Sequence, residues 1–107
     1  MTTKRVNTAV NAHQYLNKLL GKLTFSRMLK ATRLADEHSQ EEFAKLLGIS
    51  KQHLSDIERG RKVVSPERAY RWAKKLGYHE LQWAQLALQD ALDKANLRVT
   101  VHLQRAA

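Results

Sequence analysis

Apolar residues recur along most of the chain at the three- and four-residue spacing of helices with one buried face, and polar caps cut them into separate elements. A short helix is expected from about Asn11 to Leu20, with Tyr15, Leu16, Leu19 and Leu20 apolar and Gly21 ending it. A second starts at Thr24 as N-cap, with Leu23 and Met28 as a hydrophobic staple. Its core face is read as Phe25, Met28, Leu29, Thr32 and Ala35. Two brief helices follow within residues 39 to 60. Ser65-Pro66-Glu67 then opens another, with an N-cap, proline at the first helical position and an acid in the first turn. It carries Ala69, Tyr70, Trp72, Ala73 and Leu76 inward and stops at Gly77. A longer helix spans about His79 to Ala95, with Leu81, Ala84, Leu88, Ala91, Leu92 and Ala95 on one face. Trp83, Leu86 and Ala87 make it apolar on a second side, which calls for a second surface to cover. Asn96 is the left-handed cap, with Leu97 packing back on Leu92.

The period then changes. Arg98-Val99-Thr100-Val101-His102-Leu103 alternates polar and apolar, the pattern of a strand. A lone strand lacks a hydrogen-bonding partner, so two outcomes follow: antiparallel pairing with the same segment of a symmetry mate, or a frayed end. In the paired case Val99, Val101 and Leu103 face the helix 79–95.

Residues 39 to 60, S-Q-E-E-F-A-K-L-L-G-I-S-K-Q-H-L-S-D-I-E-R-G, are the most informative stretch. Ser39 and Glu42 form a capping box, and Phe43, Ala44 and Leu47 give one apolar face. Gly48 ends that helix and Ile49 is the apolar partner of its cap. Ser50 caps the next helix, with Ile49 and Leu54 as its staple. Leu54 and Ile57 point inward, whereas Lys51, Gln52, Ser55, Asp56 and Arg59 point outward. Helices joined by so short a link cross steeply, and Ala44 supplies the small residue their approach needs. The second helix then stands out as a ridge of a size that a major groove, about 12 Å wide, accepts.

This pattern resembles the helix-turn-helix of the XRE/Cro-type, lambda-repressor-like DNA-binding family. The match rests on Gln40, Ala44, Gly48, Ile49, Leu54, Ile57 and the closing Glu58-Arg59-Gly60. The resemblance implies an all-α domain of five or six helices, here with a short C-terminal β-strand added. It places Lys51, Gln52, Ser55 and Asp56 at the positions that read bases. Lysine suits the acceptors of guanine and glutamine the N6/N7 edge of adenine. Asp56 either accepts from cytosine N4 or pairs with a neighbour such as Lys62. Gln40 is expected to bond a phosphate and brace Gln52; Arg59, Arg61 and Lys62 are expected to hold phosphates. His53 either touches a phosphate or is a solvated helix residue. Arg33 and Glu58 resemble the ion pair that ties the first helix of the family to the end of the reading helix.

Charge agrees with a polyanionic partner. The chain has 107 residues, a formal net charge of +9 and a pI of about 10.2. The excess is localised: residues 1 to 35 hold seven Lys or Arg and no acid, and residues 51 to 75 hold eight against three acids. Residues 76 to 107 balance at three of each. The chain divides accordingly into a flexible basic arm, 1–10, a DNA-binding domain, 11–77, and a dimerisation extension, 78–107, contributed by Leu88, Leu92, Val99, Val101 and Leu103.

Other chemistry finds little support. With no cysteine, disulfides and thiolate metal sites are excluded. The histidines at 13, 38, 53, 79 and 102 lack metal-ligand spacing. His53, Ser55 and Asp56 fan around one helix and cannot converge as a triad. No enzyme, cofactor or small-molecule ligand is expected, and no membrane span or signal peptide is visible. The reading is a cytoplasmic, homodimeric, sequence-specific repressor of double-stranded DNA. The alternative is an antitoxin that binds a toxin protein and represses its own operon. RNA is disfavoured because A-form helices hide the major groove.

Overall fold

The computed structural model describes residues 23–106. The basic arm and the helix expected over 11–20 lie outside them. Among the described residues there are five helices and no strand: α1 (Phe25–Ala35), α2 (Gln40–Leu47), α3 (Lys51–Glu58), α4 (Pro66–Leu76) and α5 (Glu80–Lys94). The all-α fold follows the periodicity of the sequence.

Each helix starts on a side-chain cap. Thr24, Ser39, Ser50 and Ser65 accept from the backbone N–H three residues on, and His79 does so through Nδ1. At α2 the cap is reciprocal, since Ser39 N–H donates to Glu42 Oε1 at 2.8 Å. That bond, and then the Ser39 hydroxyl, hold the Glu42 carboxyl below its ordinary value. The box therefore stabilises α2 above the usual carboxylate range, and the benefit is lost as pH falls through the lowered value.

All five helices also end alike, on a residue in the left-handed region followed by a backbone N–H that reaches back five residues. At α2 the turn residue is Gly48 (φ 74°), and Ile49 N–H donates to Ala44 O at 3.0 Å. At α1 the same position is Glu37 (φ 59°), with His38 N–H donating to Arg33 O at 3.1 Å. No glycine or asparagine marks this stop, so the turn holds against the side chain's steric preference.

The core gathers Phe25 and Leu29 of α1, Phe43, Ala44 and Leu47 of α2, Leu54 and Ile57 of α3, Val64, and Ala69, Trp72 and Ala73 of α4. Trp83 and Ala87 of α5 close it. Trp83 meets the edge of Phe25 at 5.8 Å and stacks on Tyr78 at 5.4 Å. Trp72 donates its indole N–H to Leu47 O at 3.1 Å, tying α4 to the end of α2. Asp90 on α5 accepts from Phe25 N–H at 2.9 Å and so helps to cap α1.

Two expected helix faces need correction. The face of α5 that enters the core is Trp83, Ala84 and Ala87, while Leu81, Leu88, Ala91 and Leu92 are half-buried and Ala95 is exposed. The aromatic contacts of Trp83 set the rotation of this helix and leave the aliphatic stripe at its flank. Ala35, assigned to the core face of α1, is likewise exposed.

The expected C-terminal strand is not formed, and the segment does not fray from the helix either. Residues 97–106 double back along α5, held by glutamine side chains. Gln89 donates to Val99 O at 2.8 Å and accepts from Val101 N–H at 2.8 Å; Gln85 accepts from Leu103 N–H at 2.9 Å. Two extended residues advance about 6.7 Å and four helical residues about 6.0 Å. The i,i+4 glutamines thus match the period-two backbone. Arg105 completes the contact on Glu80 at 3.1 Å. Val101 and Leu103 are half-buried by this docking, whereas Val99 remains 50% exposed. Leu97 N–H donates to Leu92 O at 3.0 Å, and the residue is 51% exposed.

The strain at Glu37 gives the first prediction. Glu37→Gly relieves a left-handed side-chain clash, offset in part by glycine's entropy, for a net gain of about 0.5–1 kcal/mol. Thermal unfolding should move up by a few degrees. An unchanged or lower midpoint would show that the turn is unstrained.

Candidate nucleic-acid interface

The putting together of α2 and α3 follows from small and apolar residues at their crossing. Ala44 is buried there, and Leu54 and Ile57 turn the inner face of α3 fully into the core. The outer face is consequently polar, and among the described residues no element covers it. Lys51 and Gln52 are exposed on its first turn, and Ser55 and His53 are half-buried beside them. Arg59, Arg61 and Lys62 are exposed just beyond its end.

The base of this ridge is held by one carboxylate. Glu58 accepts from Arg33 Nε at 2.7 Å and Nη2 at 3.0 Å, a two-pronged pair between α1 and α3. Side-chain exposure is 10% for Arg33 and 3% for Glu58. The third guanidinium nitrogen, Nη1, donates to His38 O at 3.1 Å. Gln40 of α2 adds a third donor to Glu58, with Nε2 at 3.1 Å from Oε1. Gln40 therefore braces α3 through Glu58 and not through Gln52, the partner expected from the family resemblance. The physical reason is charge: a buried carboxylate draws the nearest amide more strongly than a neutral side chain at the surface does.

Asp56 occupies the centre of the outer side. Its Oδ1 accepts from Gln52 Nε2 at 3.1 Å. Arg61 Nη1 lies 3.8 Å from Oδ1 and Lys62 Nζ 3.9 Å from Oδ2. The backbone repeats the arrangement, because Asp56 O accepts from Arg61 N–H at 2.8 Å and from Lys62 N–H at 3.3 Å. The loop that follows α3 is thus folded back onto Asp56. Lys94 of α5 fixes the same loop from the other side, donating to Gly60 O at 2.6 Å. No feature of the sequence pointed to Lys94, which lies 34 residues from its partner.

His53 sits between these groups with its pKa below 6.5, mainly through burial and then through the charges of Lys62 and Arg68, with Asp56 opposing them. Arg68 lies over the ring of Trp72, 5.5 Å from its centroid. Trp72 and Trp83 are core residues and offer no platform for base stacking. Among the described residues no group of His, Asp and Glu converges as a metal site, and no helix is long and apolar enough to cross a membrane.

Two short helices packed through buried Ala44, the second presenting a polar face flanked by exposed cations, have the form of a helix-turn-helix that reads duplex DNA. The helix-turn-helix family profile matches residues 29–83, more than half of the chain, and the chain belongs to that family, of the XRE type. It is accordingly a DNA-binding regulator of transcription, of a family that is not one of enzymes. No curated protein and no solved structure matches the chain.

The environment of His53 supplies a prediction. In an NMR titration of the free protein its imidazole should titrate below 6.5. Lys62→Ala removes a positive charge and should move the value upward. A downward shift, or none, would show that Lys62 does not act on His53.

Proposed function

We propose that the chain is a homodimeric repressor acting in the cytoplasm on a double-stranded operator. Each subunit sets α3 in a major groove, and two subunits span half-sites about one helical turn apart. Lys51, Gln52 and Ser55 meet base edges. Gln40, His53, Arg59, Arg61 and Lys62 meet phosphates, Gln40 with the donors that Glu58 leaves free. The observation that carries this reading is the polar face of α3, left uncovered by the described residues, beside the cationic loop 59–62, both held from beneath by the core.

Dimerisation through the extension is supported by what the docked tail leaves open. The edge made by Val99, Val101 and Leu103 is taken by Gln85 and Gln89. The backbones of Thr100 and His102 make no hydrogen bond to any described residue, and alternation along an extended chain directs their groups to the opposite edge. Around a two-fold axis at Val101, Thr100 faces His102 of the second copy in a hydrogen-bonded pair. The same register brings exposed Val99 against the second copy's Leu103, beside the half-buried Leu88 and Leu92. This aliphatic flank is more apolar surface than DNA reading requires. It therefore also supports a second reading, an antitoxin whose toxin partner docks there.

Selection of duplexes from a random pool, followed by binding measurements, tests the main reading. With six to ten phosphate contacts per dimer, affinity should fall by roughly 10³–10⁵ between 50 and 200 mM salt. Gln52→Ala should cost about 1–3 kcal/mol on the selected site alone, and Arg61→Ala should weaken all duplexes alike. Salt-insensitive affinity, or equal losses for Gln52→Ala on selected and scrambled duplexes, would reject it. For the dimer, Thr100→Pro deletes one edge N–H while keeping the tail. Sedimentation should then show a weaker dimer; an unchanged one would exclude the strand pairing and leave the DNA reading in place.

A further inference from the structure

We infer that Asp56 sets the base preference of Gln52, by fixing which edge of its amide faces the groove. The inference rests on the DNA-reading proposal above and adds a specificity-determining residue to it.

A carboxylate can only accept hydrogen bonds. The atom of Gln52 that lies 3.1 Å from Asp56 Oδ1 must therefore be the amide nitrogen. That contact removes the freedom of the amide to flip. One of its two N–H groups is committed to Asp56, and the outward edge then consists of Oε1 and the remaining N–H beside it. Adenine presents N6–H as a donor and N7 as an acceptor in the major groove, which complements this edge. Guanine presents two acceptors, O6 and N7, and calls for two donors. An unrestrained glutamine can turn its NH₂ group toward both. A glutamine held by Asp56 has one N–H left, and its carbonyl oxygen would oppose O6.

The placement of Asp56 suits an orienting role better than contact with a base. Its side chain is only 16% exposed, against 63% for Arg61 and 58% for Lys62, which lie over it. Its two oxygens already face an amide and two cations. These cations offset the negative charge that would otherwise repel a phosphodiester, so the carboxylate can sit close to DNA at small electrostatic cost.

The test is duplex selection with the intact chain and with Asp56→Asn, Asp56→Glu and Gln52→Ala, each checked for unchanged helicity and melting. Asparagine keeps the size but can donate as well as accept, so it releases the flip. In the wild type one position per half-site should favour adenine over guanine roughly tenfold or more, and Gln52→Ala should erase that preference. Asp56→Asn should reduce it to within about threefold at the same position only, and Asp56→Glu, still acceptor-only, should retain it. Full adenine preference in Asp56→Asn would overturn the inference while leaving DNA reading intact. A change confined to a cytosine position that Gln52→Ala does not affect would overturn it too, making Asp56 itself a base reader. If the wild type enriches no duplex, the DNA-reading proposal and this inference fall together.

Discussion

The buried carboxylate of Glu58 is the point on which the geometry of the reading helix depends. It belongs to the last turn of α3 and is held by Arg33 from α1 and Gln40 from α2. Charges this far from water are tolerated only with close partners, and breaking such a pair by removing one member generally costs about 3–5 kcal/mol. The knot is also complete: no buried side-chain nitrogen or oxygen among the described residues lacks a partner. Its worth lies less in net stability than in direction, since three helices share one fixed set of hydrogen bonds and cannot slide past one another without breaking it.

Rigidity at the base carries through to the outer face. The start of α3 is capped by Ser50, its middle is locked by Leu54 and Ile57, and its end is held by Glu58. The loop after it is pinned by the Asp56 carbonyl and by Lys94. Beneath, Trp72 secures the end of α2 through Leu47 O. Side chains on such a platform lose little further freedom on binding, which favours tight and specific association. The docked tail extends the same principle to the far side of α5, where side-chain amides hold an extended backbone.

Much of this was legible in the residues. Ser39, Ser50 and Ser65 announce helix starts, and Gly48, Gly60, Gly77 and Asn96 announce stops, because capping chemistry is local. What could not be read depends on distance or on competition. Glu37 ends α1 without a signal, since the turn there is imposed by Arg33 and His38 and not by its own preference. The rotation of α5 was set by Trp83 against Phe25 and Tyr78, which periodicity within one helix cannot weigh. Alternation in 98–103 pointed to a strand, which is not formed; the backbone of this segment is instead held by Gln85 and Gln89. Those glutamines read as ordinary helix residues. In the site, the Arg33–Glu58 pair came only through the family resemblance. Gln40's true partner followed from burial, which the sequence does not display.

The most direct test of the account is an NMR map of backbone amide shifts as the selected duplex is added to the labelled protein. The account predicts that the perturbed residues form one continuous surface: Gln40, the first two turns of α3 from Lys51 to Ser55, and Arg59 to Lys62. The shifts of Leu54 and Ile57 should move little. Perturbation centred on α5 and residues 97–106, with Lys51 and Gln52 unmoved at saturation, would contradict it.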